Sequence, residues 1–166
     1  IALSDYVDDN AEFLLRASFK TSADIPVNHD GKLNNHWWHA CEKVNVKVET
    51  IDDFVCRKNI SIINVIKLDV DGFEVKVLNG GINTIKSFKP TILMEVAPSW
   101  LSSKGDSVES LVELLFNMGY SFFNEKTFTK IPDILNEVGL LAAGAGVNVV
   151  CIHETNSNQL NNANES

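Results

Sequence analysis

Four carboxylates stand where two apolar runs give out. The first run is INVIKLDVDGFEVKVLNGG, ending at Gly81, and it places Asp69, Asp71 and Glu74 within six residues, with Gly72 among them. The second is PTILMEVAP, Pro90–Pro98, interrupted by Glu95. In open α/β sheets ligands sit outside the carboxyl ends of the strands. Desolvated carboxylates at such a mouth hold a hydroxyl, take its proton or bind a cation. Asp69 and Glu95 carry the stronger signal, because each breaks an apolar strand. Asp71 and Glu74 also have a plain structural reading, as the cap and first turn of a following helix, where negative charge suits the helix dipole.

Other motifs fall away on spacing. DVDG is not an EF-hand loop: Gly72 follows the second aspartate at once, where that loop needs a third ligand first. NNHWWHAC brings His36, His39 and Cys41 together, but no fourth ligand follows at zinc-like spacing, so no metal site is assigned. In the same loop Trp37 and Trp38 are candidates to line a substrate pocket. The glycines of GAGVNVV precede a strand, whereas a dinucleotide loop follows one and opens a helix. NGGINT fails the same test, and no G-x-S-x-G nucleophile elbow is present.

The elements that must position these residues read as follows. Ala11–Lys20 and Val44–Thr50 are rich in β-formers and make an antiparallel ribbon with a long polar connection. Thr50 caps a short helix, Ile51–Arg57, with Asp52 and Asp53 in its first turn. Ile62–Val70 is apolar at nearly every residue, the pattern of a strand covered on both faces. A helix from Phe73 to Phe88, broken at Gly80–Gly81, leads to the strand Pro90–Pro98. Asp106 with Glu109 makes a capping-box pattern for a helix ended by Gly119. Tyr120–Asn124 is a strand, Pro132–Val138 a short helix and Val147–His153 the last strand. The polar tail from Glu154 to Ser166 has too little apolar surface to order itself. The reading is an α/β domain over residues 1–153, with a mostly parallel sheet and an added antiparallel ribbon.

Bulk properties exclude some partners. The 166 residues carry a net charge of −8, which disfavours a nucleic-acid backbone or an anionic membrane surface. No apolar run reaches the ~18 residues of a bilayer span, and the acidic start IALSDYVDDN is unlike a signal peptide. Cys41, Cys56 and Cys151 form no disulfide framework, and free thiols suit a reducing, cytoplasmic setting. The chain opens on IAL, the end of an apolar strand, and without methionine, so a sequence cut from something longer is expected.

VETIDDF, INVIKLDVDGFEVKVLNGG, KPTILMEVAP and ELLFNMGYSFF together resemble the second half of FkbM-family methyltransferases, over about residues 1–153. Lys67, Asp69, Gly72, Glu74, Leu78, Gly80 and Glu95 match the family pattern, Asp71 stands where glutamate is usual, and IALSD is similar to the segment after the family's third strand. The resemblance implies a partial Rossmann-like class I fold and an S-adenosylmethionine-dependent O-methyltransferase acting on a hydroxyl of a sugar or secondary metabolite. It implies Asp69 as base or orienting group, Glu74 and Glu95 beside it, and Asp71 toward the small-molecule acceptor. The family's glycine-rich cofactor loop and ribose acid would precede Ile1, so this chain alone is expected to bind the cofactor weakly or not at all. The competing reading is a non-catalytic interaction domain built on the same half-fold. A third is a divalent-metal-dependent transferase using Asp69 and Asp71. If the strand Ile62–Val70 lies mid-sheet in the family, its edge is bare here, and self-association follows as an expectation.

Overall fold

The computed structural model describes residues 1–16, 41–142 and 144–156. It opens with β1 (Ala2–Leu3), β2 (Asp8–Arg16) and β3 (Cys41–Glu49), which form a three-stranded sheet in the order β1-β3-β2. β2 and β3 pair antiparallel, as the expected ribbon, and β1 adds to β3 in parallel. Thr50 then caps α1 (Ile51–Arg57), its hydroxyl accepting from Asp53 N–H at 3.0 Å.

The main sheet contains β4 (Val65–Leu68), β5 (Thr91–Val96), β6 (Tyr120–Asn124) and β7 (Val147–His153), in the order β4-β5-β7-β6. β4, β5 and β6 share one direction; β7 lies between β5 and β6 and runs against both. The expected mostly parallel sheet therefore holds for strand direction but not for pairing. Among the described strands of the main sheet only β4 with β5 is a parallel pair, and the fold is a mixed α/β one.

Strands place alternate residues on opposite faces. On one face Leu68, Ile92, Met94, Val96, Val149, Cys151, Tyr120 and Phe122 are buried in the core. Helices α2 (Glu74–Asn79), α3 (Ile82–Phe88), α4 (Pro98–Ser103), α5 (Val108–Asn117) and α6 (Ile134–Gly139) accompany this sheet. Val75, Val77, Leu78, Ile85, Leu101, Leu111, Leu115, Ile134 and Val138 from them join the same core. Burying a side chain of this size stabilises by about 1.5–3 kcal/mol, so this layer dominates the stability.

Several boundaries differ from the sequence reading. β4 is shorter than Ile62–Val70 because it has only β5 to pair with. It is also not covered on both faces: Val65 is 57% exposed and Ile62, just before it, 68%. The capping box of α5 is Ser107 with Ser110, each side chain bonding the other's N–H at 3.1 Å. Asp106 is instead turned back, its N–H donating to Leu101 O at 3.1 Å. Pro98 closes no strand but opens α4 at its first turn, where its missing N–H costs nothing. The first residues of the expected tail are tied down, Glu154 N–H to Gly119 O and Asn156 Nδ2 to Lys89 O, both at 2.9 Å. Among the described residues no helix is long and apolar enough to cross a membrane.

The two sheets are joined at a close approach. A Cβ on Gly80 would lie 2.0 Å from Ser4 O, so only glycine lets the β1 end meet α2. Asp52 locks the same corner. Its carboxylate accepts from Asn83 N–H, Asn83 Nδ2 and Thr84 N–H at 3.2, 2.8 and 2.8 Å, capping α3, whose own N-cap is Gly81. Burial pushes the Asp52 carboxyl up, but these bonds outweigh it and hold the group below the usual range. Nearby, buried Glu49 is gripped by Arg57 at 2.6 Å and Lys47 at 2.9 Å, and the Arg57 bond leads in lowering its carboxyl.

His153 ends β7 in a buried position against Tyr120, with ring centroids 5.3 Å apart. Its Nδ1 accepts from Thr155 N–H at 3.2 Å, which fits a neutral ring. Burial first, and the charge of Lys89 second, push its pKa below the ordinary 6.5. The unfolded chain therefore binds a proton that the folded chain resists. The stability from neutral His153 is complete above pH 6.5 and is lost as pH falls through that value toward the folded pKa. Urea midpoints should drop as pH is lowered through this window. His153→Gln should flatten the dependence; an unchanged slope would show that other groups carry it.

Candidate functional site

An open groove of about 300 Å³ lies at the carboxyl ends of β4 and β5, lined among others by Lys67, Asp69, Glu95, Glu125 and Asn148. The pleat builds it. Leu68 and Met94 face the core, so their neighbours Lys67, Asp69, Leu93 and Glu95 stand on the opposite face. Antiparallel pairing sets Asn148 of β7 directly beside Glu95. Glu125 follows the end of β6. Backbone alternation thus gathers polar groups from several strands on one exposed surface.

Lys67 Nζ lies 2.5 Å from Asp69 Oδ2. Both side chains are well exposed, so the pair is weak and opens at little cost. Glu95 lies along β7: a Cβ on Gly146 would meet its Oε1 at 2.4 Å. The absent side chain at Gly146 is what gives the Glu95 carboxylate its room. The groove therefore offers three carboxylates, one ammonium and one carboxamide, with Leu93 as an apolar floor. Such a mixture of acceptors and donors over an apolar surface suits a small polyhydroxylated ligand.

The structure brings Asp69 and Glu95 together and sends Asp71 and Glu74 elsewhere. Asp71 and Gly72 are the central residues of a tight turn with φ of 49° and 95°, closed by Phe73 N–H to Val70 O at 3.2 Å. Both φ values are positive, as in a type I′ turn, and aspartate tolerates that conformation better than most residues. Glu74 is buried in the first turn of α2, and its Oε1 accepts from Gly72 N–H at 3.2 Å. The observed partner of Glu74 is thus the turn, and neither residue lines the groove. Trp37, Trp38, His36 and His39 lie outside the described residues. Among the described residues no three His, Cys, Asp or Glu side chains are grouped so as to hold a metal ion.

Glu125 and Asn148 line the groove without having been singled out, and Lys67, named only as part of the family pattern, joins them. Asn148 had the same signal as Glu95, a polar residue inside an apolar strand. Lys67 shares a face with Asp69 by strand alternation. Glu125 stands in a turn and has no sequence signal.

A mixed α/β domain with its groove at the strand carboxyl ends is a ligand-binding architecture. Residues 1–122 match the family described as the methyltransferase FkbM domain, and the chain belongs to that family. No curated protein and no solved structure matches it.

A sulfonium nucleoside cofactor needs a glycine turn that opens a helix, leaving backbone N–H groups free to grip it. Gly72 is the described glycine nearest to that pattern, but a Cβ there would lie 2.3 Å from Trp100 O. The α4 backbone fills the space a ligand would need. Gly80, Gly81 and Gly146 are closed in the same way by Ser4, Ile51 and Glu95. Gly105 and Gly144 are open but belong to no strand-to-helix turn. None of these glycines therefore provides a turn of that kind.

The different stations of Asp69 and Glu74 have a measurable consequence. Glu74→Ala strands the Gly72 N–H and removes a buried side chain, and should cost about 1–3 kcal/mol. Asp69→Ala changes an exposed side chain and should stay within about 0.5 kcal/mol. Urea unfolding of both variants checks the contrast; equal losses would undo the assignment of Glu74 to the turn.

Proposed function

We propose that this chain forms the acceptor side of an S-adenosylmethionine-dependent O-methyltransferase, with a sugar-like hydroxyl compound in the groove. The observation that carries the reading is the convergence of Asp69 and Glu95 at the strand mouth in a member of the FkbM methyltransferase family. The donor supplies the methyl group. The residues described here bind the acceptor, orient its hydroxyl and receive the proton. Orientation is the larger share of such catalysis, since a hydroxyl held at attack distance avoids the entropy of encounter.

Asp69 is the proposed base. Its Oδ2 is paired with Lys67, which leaves Oδ1 to approach a hydroxyl. Glu95 and Asn148, side by side across β5 and β7, are placed to accept from and donate to neighbouring hydroxyls. Glu74 acts at one remove, by holding the Asp71–Gly72 turn that follows the Asp69 strand end. The closed glycines also favour the non-catalytic reading, in which the groove binds a ligand without turning it over.

Calorimetry of this chain with S-adenosylmethionine should show weak binding or none. Binding at micromolar affinity, about −8 kcal/mol, would mean that the chain grips the donor unaided and would overturn the acceptor-side assignment.

In the cofactor-competent enzyme, Asp69→Asn keeps the shape but cannot take a proton, and should lower turnover by about 10²–10⁴-fold with little change in donor affinity. Unchanged turnover would remove Asp69 as the base.

A further inference from the structure

His153 closes β7 and stands directly before residues 154–156, which are helical. That is the N-cap place, where a side-chain acceptor meets an amide that the helix leaves unbonded. Here the acceptor is an imidazole. Its Nδ1 takes the Thr155 N–H at 3.2 Å, with the Thr155 hydroxyl at 2.9 Å. Two further bonds hold the same residues to the domain, Glu154 N–H to Gly119 O and Asn156 Nδ2 to Lys89 O, both at 2.9 Å. Serine, threonine or asparagine would cap at any pH. Histidine caps only while Nδ1 keeps its lone pair.

We infer that His153 is a proton-operated latch: protonation of Nδ1 uncaps residues 154–156 and releases them from the end of the sheet. The imidazolium presents an N–H to the Thr155 N–H, two donors with no acceptor between them. The Thr155 hydroxyl can turn and accept; the amide can only donate. The new charge also meets the N–H end of the helical residues, where a cation is disfavoured. Among the described residues, the groups around the ring set where the latch opens. Tyr120 of β6 packs edge-on, with burial keeping its hydroxyl protonated and the hydroxyl donating to Pro90 O at 2.9 Å. Gly119 passes close over Nε2, which would lie 3.0 Å from a Cβ there. Lys89, just before β5, opposes the proton, while Glu154 and a bond to the Met118 backbone favour it. Burial and Lys89 prevail, so the latch is closed above pH 6.5 and opens as pH falls through the lower folded pKa. His153 pairs with Tyr120 at the start of β6, whereas the groove takes Asn148 from the start of β7. The latch is thus at the far end of the sheet, and it stands or falls apart from the proposed function.

NMR of the whole chain, from pH 7.5 downward, tests the latch. Amide exchange is expressed as protection over the unfolded-chain rate, which removes the intrinsic effect of pH. Thr155 N–H should lose about tenfold in protection, with the midpoint of the His153 ring titration, while the amides of β7 keep theirs. His153→Asn supplies a side-chain carbonyl that caps without titrating, and should keep Thr155 protected across the range. Lys89→Gln removes the opposing charge and should move the common midpoint to higher pH. A Thr155 amide that ignores the His153 titration overturns the inference. So does simultaneous loss of β7 protection, which is global unfolding and not release. A transition that survives His153→Asn, or one that Lys89→Gln leaves in place, belongs to another group and overturns it as well. Thermal melts at pH 7.5 verify that both variants keep the fold.

Discussion

The burial of one face of the main sheet along β4 and β5 is the constraint from which the rest follows; only toward the end of β7 are both faces buried, Val150 and Ile152 included. Leu68, Ile92, Met94, Val149 and Cys151 must face the helices, because they supply the apolar area that offsets the conformational entropy of folding. A strand alternates with period two, so fixing those residues also fixes their neighbours. Lys67, Leu93, Glu95 and Asn148 are left on the opposite face whether or not they have a function. The groove is thus the reverse side of the core. A slip of one residue in β4 or β5 would bury Lys67 or Glu95 and expose Leu68 or Met94, so the burial energy that holds the register also holds the site.

The glycines of the family motif serve packing. Gly72 accepts the Trp100 carbonyl against its Cα, and Gly80 accepts that of Ser4. Each removes a side chain where two backbones meet. Gly72 brings the β4 turn against α4, and Gly80 brings the end of β1 against α2. Asp52 strengthens the second contact by capping α3 from α1. The Asp71–Gly72 turn, the buried Glu74 and the Gly80 contact together set the direction of α2 as it leaves β4. In a motif of this density, part of the acidity supports the backbone and part lines the groove, and burial separates the two.

Much of this was legible in the sequence, for identifiable reasons. β7 was read to the residue, Val147–His153, because an apolar run there is bounded on both sides by polar and glycine residues. The helix break at Gly80–Gly81 and the Thr50 cap were readable because they rest on local chemistry. The α5 cap falls on Ser107 and not on Asp106, because the Asp106 N–H closes the end of α4 on Leu101 O, and α4 is an element the sequence reading lacks. α4 is not legible because a proline after an apolar run reads equally as the end of a strand and as the first turn of a helix. Of the site, Asp69 and Glu95 were visible as polar breaks in apolar strands. The separation of Glu74 from them was not. Sequence proximity suggested one cluster, and only the positive-φ turn at Asp71–Gly72 carries Glu74 away from the mouth.

The carboxylates of the groove differ in their surroundings. Asp69 is bonded to an exposed lysine. That contact is weak and opens at little cost, because solvent already screens it. Glu95 is different: it lies along the backbone at Gly146, where no side chain competes for the space. Both carboxylates are exposed; they differ in that Asp69 has a cationic partner, whereas Glu95 has the open space over Gly146. That difference follows from where each strand residue falls in the pleat and from what stands opposite it in the next strand.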